Sequence, residues 1–270
     1  PLGISYQTRF NTSNLLALHE MPPLLREAFV TSEDRHFYTH HGVDWAARVG
    51  AISQNLRAGK KVRGASTITE QVVRILHPRP RSVWSRWVEG FEAMLLETRA
   101  SKGEILEFYL NQVPYAANRR GVAQAARYYF NRDLNTLTHK EMLALAVLPR
   151  APSALDLYQH PDRIEGGIAR LAEAMVARGE LTADDRDGLR TTTLALEPAS
   201  PALGAEHFVT YIRETAPYRL SEHGVLPTTL DGALQRNVQQ LLDARVAQLA
   251  RKQVHNGAAL VVDHTTGEIL

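Results

Sequence analysis

The chain of 270 residues contains no cysteine, which excludes disulfides, thiol nucleophiles and thiolate-bound zinc, and leaves the redox compartment open. It also lacks any apolar run near the roughly 20 residues that a membrane helix requires. The longest candidates, such as Leu143 to Leu148, are short and sit within an amphipathic pattern. No signal-peptide pattern stands at the N-terminus. The expectation is therefore either a soluble protein or a chain that begins after an anchor. Repeats and low-complexity tracts are missing too. With 44% hydrophobic and 22% charged residues, the composition is that of a folded globular chain, which excludes wholesale disorder.

A large charge excess is likewise absent, since 31 basic residues nearly balance 29 acidic ones. The distribution is uneven, however. From Arg48 to Arg86 nine basic residues face a single acid, Glu70, so the remainder of the chain is net acidic. Such a block suits a polyanionic partner such as phosphate, pyrophosphate, an anionic membrane surface or nucleic acid, and equally a solvated basic face.

The first two-thirds reads as helices. Pro22 and Pro23 suit the start of a helix through Leu25, Ala28, Phe29 and Ser32. Trp45, Val49, Ile52 and Leu56 form one helical stripe, and Trp84, Val88, Phe91 and Leu95 another. Thr67 with Glu70, Ser101 with Glu104, and Thr138 with Glu141 are three capping boxes that open apolar helices. A helix is expected from about Asp162 to Ala177, stopped by Gly179. The stretch from Glu197 to Pro201 reads as a linker. Beyond it come a helix from Asp231 to about Lys252 and a hairpin pattern from Ala258 to Leu270, whose second strand looks cut short.

Several segments could carry chemistry. Glu33-Asp34-Arg35-His36-Phe37, with His40 and Gly42, puts a carboxylate at a helix end beside an aromatic ring, a histidine and a turn glycine. A carboxylate there can act as a general base once its surroundings tune it. Taken alone, Glu33 and Asp34 fit a surface pair equally well. His36 and His40 have a zinc-compatible spacing, but Phe37 occupies the place where a metalloprotease helix carries glutamate. Gly64-Ala65-Ser66-Thr67-Ile68-Thr69-Glu70-Gln71 sets small and hydroxyl residues at a helix N-terminus, which suits an anion, a sugar or an ordinary cap. Arg86 and Glu89 share a helix face, as a phosphate-binding cation with a second acid or as a plain ion pair.

In their joint order these segments resemble the glycosyltransferase domain of class A penicillin-binding proteins, glycosyltransferase family 51, which polymerises lipid II. The first motif runs from Glu33 to Gly42 and the second from Gly64 to Gln71. The fourth is Ile105-Leu106-Glu107-Phe108-Tyr109-Leu110-Asn111. A trailing pattern comprises Tyr129-Phe130, Leu137, Glu141 and Pro149-Arg150-Ala151-Pro152-Ser153. The third motif departs from the family's Arg-Lys-x-x-Glu: Ser85 replaces the arginine, Arg86 the lysine, and Glu89 keeps the acid. His77 to Ser82 is most similar to the 1C type. Tyr115 to Arg120 replaces the usual glycine-rich segment, with Gly121 retained.

The resemblance implies a mainly α, lysozyme-like glycosyltransferase fold with a small membrane-facing subdomain around residues 43–63, then a short α+β C-terminal piece. It implies a glycosyltransferase domain over 1–195 and, over 196–270, a linker with the truncated start of a transpeptidase domain. No Ser-x-x-Lys or Lys-Thr-Gly occurs, so penicillin binding is not expected of this chain. In the implied reaction Glu33 is the general base for the 4-hydroxyl of lipid II, and undecaprenyl pyrophosphate leaves with inversion. Arg74, Arg81 and Arg86 would meet the growing negative charge. Glu89 would hold a divalent cation (Mg2+ or Mn2+) or orient Arg86. Asp34, Phe37, Gly64, Ser66, Thr67 and Gln71 would bind substrate. Implied partners are lipid II, the nascent glycan strand, the inner-membrane surface at its periplasmic face and moenomycin-type inhibitors. Further cell-wall synthesis proteins remain open as partners; nucleic acid and organic cofactors are not expected. Two other readings are a lysozyme-like glycan-cleaving enzyme, which leaves the basic block unexplained, and a lipid II-binding scaffold with a degenerate site.

Overall fold

Each of the three capping boxes closes reciprocally in the computed structural model of the chain. The structure describes residues 10–12, 14–58, 66–80, 82–152, 154–197 and 228–270, with Phe208, Tyr211, Ile212 and Thr215. The chain divides into two compact units, one of them Arg9–Glu197 and the other containing Pro198–Leu270.

In the first unit the helices are α1 (Pro23–Glu33), α2 (Trp45–Ala58), α3 (Ile68–Leu76), α4 (Val83–Glu97), α5 (Lys102–Gln112), α6 (Val122–Phe130), α7 (His139–Val147), α8 (Glu165–Ala177) and α9 (Ala183–Thr191). Pro23 opens α1, where its missing N–H would have no intrahelical partner in any case. The axis of the core is α7, buried at every position from Lys140 to Val147. Even Lys140 and Glu141 are enclosed there, each with a hydrogen-bond partner: Lys140 donates to the Thr192 carbonyl and Glu141 accepts from the Thr138 N–H. Around α7 pack α1 and α8, with α6 and α9 completing the layer, while α3 lies against α4 and α5. Both sets meet in one cluster that includes Phe29, Phe37, Ile68, Tyr109, Tyr129 and Leu143. The unit is mainly α, as expected; its described extended pairings are the isolated bridges His41↔Val43 and Pro114↔Arg120.

One helix faces the opposite way from a core stripe. On α4 the residues turned inward are Ser85, Glu89, Gly90 and Ala93, whereas Trp84 is 76% and Phe91 65% exposed, and Leu95 is exposed as well. The reason is close approach. Gly42 stands at φ +83°, and a Cβ there would come within 2.6 Å of the backbone of Ala93 and Met94. Only the small face of α4 fits so near another chain segment, so its aromatic face is turned out.

The described part of the second unit contains α10 (Gly232–Leu249). The Asp231 side chain caps it by accepting from the N–H groups of Ala233 and Leu234 at 2.7 and 3.0 Å. The expected hairpin near the C-terminus is reduced to the bridge Val262↔Ile269 around a turn with Gly267 at φ +74°. An α+β character for this piece is therefore not established.

Candidate active site

Glu33 is the last residue of α1, and its side chain is only 12% exposed. Two side chains from distant segments meet its carboxylate. Gln71, in the first turn of α3, donates from Nε2 to Oε2 at 2.9 Å. Arg150, in the tight turn after α7, lies with Nε 3.4 Å from Oε1 and also donates to the Ser32 carbonyl. The Tyr109 hydroxyl donates to Gln71 Oε1 at 3.1 Å. The Glu33 carboxylate can only accept, so it takes the Gln71 NH2, and the amide oxygen is left for the Tyr109 hydroxyl. Tyr109 is fully buried, and burial followed by the charge of Glu33 holds its hydroxyl well above the usual range, so it serves as a donor.

One turn beyond Gln71, Arg74 binds both oxygens of Glu89 on α4, from Nε at 3.2 Å and from Nη2 at 2.6 Å. This two-pronged geometry is the favoured one for arginine with a carboxylate. The expectation that Glu89 orients Arg86 is thereby corrected. Arg86 is exposed and makes no ion pair among the described residues, because the buried side of α4 turns Glu89 toward α3 and carries Arg86 away. Nor do the side chains present fit a protein-built metal cage. Both Glu89 oxygens are engaged by Arg74, and no group of three or more His, Asp or Glu among the described residues could hold a metal ion.

The other motif residues separate by burial. Asp34 is buried, and its Oδ2 accepts from the Ile68 N–H and from His40 Nε2, each at 2.9 Å. It thus ties the residue after Glu33 to the free N-terminal end of α3. Phe37 is completely buried in the core. Thr67 caps α3, accepting from Glu70 N at 3.1 Å and donating to the Gly42 carbonyl at 2.6 Å. These three side chains face the protein interior, where they hold the motifs together. Ser66 is partly exposed at the start of α3. Gly64 and Arg81 lie outside the described residues. Glu70 is engaged by Arg48 of α2; burial pushes its carboxyl up, against the pull of the Thr67 N–H and of Arg48.

Residue-level reading missed Arg150 and the role of Tyr109, although both lie in segments that carry the resemblance. The signal for Arg150 was a lone cation just after the apolar run Leu143 to Leu148, but nothing local says which carboxylate it meets.

A family model described as Transglycosylase matches residues 4–176, and the chain belongs to that family. Among known proteins, it is 31% identical over 250 residues to penicillin-binding protein 1C of Escherichia coli (strain K12), covering 93% of this chain and 32% of the relative. It is 29% identical over 265 residues to penicillin-binding protein 1F of Bacillus subtilis (strain 168), covering 94% and 37%. The chain thus spans about a third of the length of these relatives. A crystal structure of penicillin-binding protein 1A from Haemophilus influenzae aligns with a TM-score of 0.44 at 22% identity, over 62% of this chain and 25% of that one.

Proposed function

We propose that this protein is a peptidoglycan glycosyltransferase that polymerises lipid II, with Glu33 as general base. The observation that carries the reading is the enclosed Glu33 carboxylate, held by Gln71 and Arg150 at a helix end, with one further cation, Arg74, a turn beyond Gln71. In the reaction the 4-hydroxyl of lipid II attacks the anomeric carbon of the growing strand and its proton passes to Glu33. The bond from that carbon to the pyrophosphate oxygen breaks, and the electron pair leaves with undecaprenyl pyrophosphate. Fixed cations near the departing group lower the barrier by meeting charge where it grows. Arg74 and Arg150 serve this purpose, with Arg86 and Arg81 further candidates, and Glu89 keeps Arg74 in place. Gln71 holds the base, and Ser66 meets the sugar or its phosphates.

Mg2+ or Mn2+ would enter on the substrate's own pyrophosphate oxygens, as magnesium commonly does. We also place the exposed aromatic face of α2 and α4 at the bilayer surface that carries the substrate. Trp45 of α2 and Trp87 of α4 lie with ring centroids 6.2 Å apart, so the two helices present one continuous apolar patch. No helix among the described residues is long and apolar enough to cross a membrane.

Replacing Glu33 by Gln keeps the shape and the bond partners but removes the base. Polymerisation of labelled lipid II should fall by about 10²–10⁴-fold, the usual worth of a positioned general base. A folded E33Q protein that polymerises at the original rate would exclude Glu33 as the base.

A further inference from the structure

Beneath the site lies a buried polar network that the reaction above does not use. Lys102 opens α5, and Glu97 closes α4. The Lys102 Nζ donates to Glu97 Oε1 at 2.7 Å, and Thr69 Oγ1 donates to the same oxygen at 2.6 Å. The side chains are well enclosed, at 21% exposure for Lys102 and 6% for Glu97. The ammonium also approaches His40 Nδ1 at 3.4 Å and lies 4.6 Å from the centre of the Phe37 ring. His40 in turn meets Asp34 through Nε2 at 2.9 Å.

An ammonium has donors and no acceptor. Lys102 lies nearer to Nδ1, at 3.4 Å, than the Glu97 oxygen does, at 4.0 Å, so in the neutral ring that nitrogen accepts and the ring hydrogen of His40 sits on Nε2. It then points at Asp34, whose Oδ2 receives two donors, His40 Nε2–H and the Ile68 N–H. The opposite tautomer would set a lone pair of His40 against a buried carboxylate and leave Asp34 short of a partner, an expensive arrangement in the interior. Asp34 is the residue after the base, and Ile68 starts the helix whose first turn carries Gln71. The bond between them therefore sets Gln71 in register with Glu33. Glu97 reaches the same turn by a second route, through Thr69.

We propose that Lys102 and Glu97 are positioning residues of the glycosyl-transfer site. They hold His40 as the Nε2–H tautomer, and through Asp34 and Thr69 keep the first turn of α3 aligned with Glu33. The proposal rests on the reading of Glu33 as the base for its kinetic effect, but not for the tautomer.

The test uses the whole chain with 15N-labelled histidine. Two-bond 15N–1H correlation spectra distinguish the imidazole tautomers, and the His40 signals are assigned by their loss in His40→Gln. The expected result is Nε2–H at His40 in the unaltered protein, and loss of that single tautomer in Lys102→Met. In lipid II polymerisation Lys102→Met should lower kcat by about tenfold or more, in line with the cost of a misplaced catalytic constellation, with KM within about twofold. Lys102→Arg, which restores a cationic donor, should recover most of the loss. An Nδ1–H tautomer in the unaltered protein would overturn the proposal, as would undiminished kcat in folded Lys102→Met. Should that variant fail to fold, Glu97→Gln takes its place: it leaves Thr69 a neutral acceptor and removes the carboxylate that holds Lys102, so an unchanged kcat is again decisive. The tautomer does not depend on Glu33, so a failure here is distinct from a failure of E33Q to lose activity.

Discussion

Arg74 and Glu89 stand 15 positions apart on two helices, and what each does follows from the other. Glu89 is the enclosed partner, at the buried face of α4, while Arg74 is partly open to solvent. Removing the arginine alone strands a buried carboxylate, so R74M should destabilise the fold by roughly 1–3 kcal/mol, the cost of an unsatisfied buried polar group. The double variant R74M/E89Q removes the stranded charge and should recover part of that loss. A double-mutant cycle in urea measures the coupling. Additive single effects would show that the pair is not energetically linked. Measured alongside, polymerisation by E89Q should retain more activity than R74M, because Glu89 acts through Arg74. The same logic governs Glu33, whose two partners reach it from 38 and 117 positions away.

At the scale of helices, the capping boxes were readable because they are local. Thr67 with Glu70, Ser101 with Glu104 and Thr138 with Glu141 need only four consecutive residues, and all three form. The start of α1 at Pro23, the end of α8 before Gly179 and the start of α10 near Asp231 were readable for the same reason. The facing of α4 was not. An apolar stripe shows which residues share a face, but whether that face is buried depends on what lies opposite. Here Gly42 decides it, by bringing its backbone against the small side of α4. Gly42→Ala combines a left-handed backbone with a Cβ 2.6 Å from the Ala93 backbone. It should cost about 1–3 kcal/mol, read by urea unfolding, and should also loosen Thr67, which donates to the Gly42 carbonyl. A stability within a few tenths of a kcal/mol of the original, on the order expected of a neutral surface change, would show that α4 can move away.

For the whole molecule, the outward aromatic face matters most. Trp84, Trp87 and Phe91 are exposed on α4, and the Trp87 ring lies beside Trp45 of α2; the side chains of Ile52 and Leu56 in the expected α2 stripe lie outside the described residues. If this patch meets lipid, W84S together with F91S should weaken co-sedimentation with anionic vesicles by roughly tenfold or more, since burying each large apolar side chain contributes about 1.5–3 kcal/mol. Polymerisation should fall more for vesicle-borne lipid II than for substrate dispersed in detergent. Unchanged partitioning would remove this face from the membrane contact. The sequence alone determined the motifs and the helix ends marked by local caps, and it singled out Glu33, because these rest on residue types in short, ordered spacings. Only the tertiary structure decided that Arg150 and Gln71 hold Glu33, that Arg74 rather than Arg86 holds Glu89, that Asp34, Phe37 and Thr67 turn inward, and that α4 shows its aromatic side. Those outcomes depend on contacts between segments far apart in the chain, where partner choice is set by packing and by the cost of leaving a buried charge alone. Glu33 was visible as a residue; its surroundings exist only in the fold.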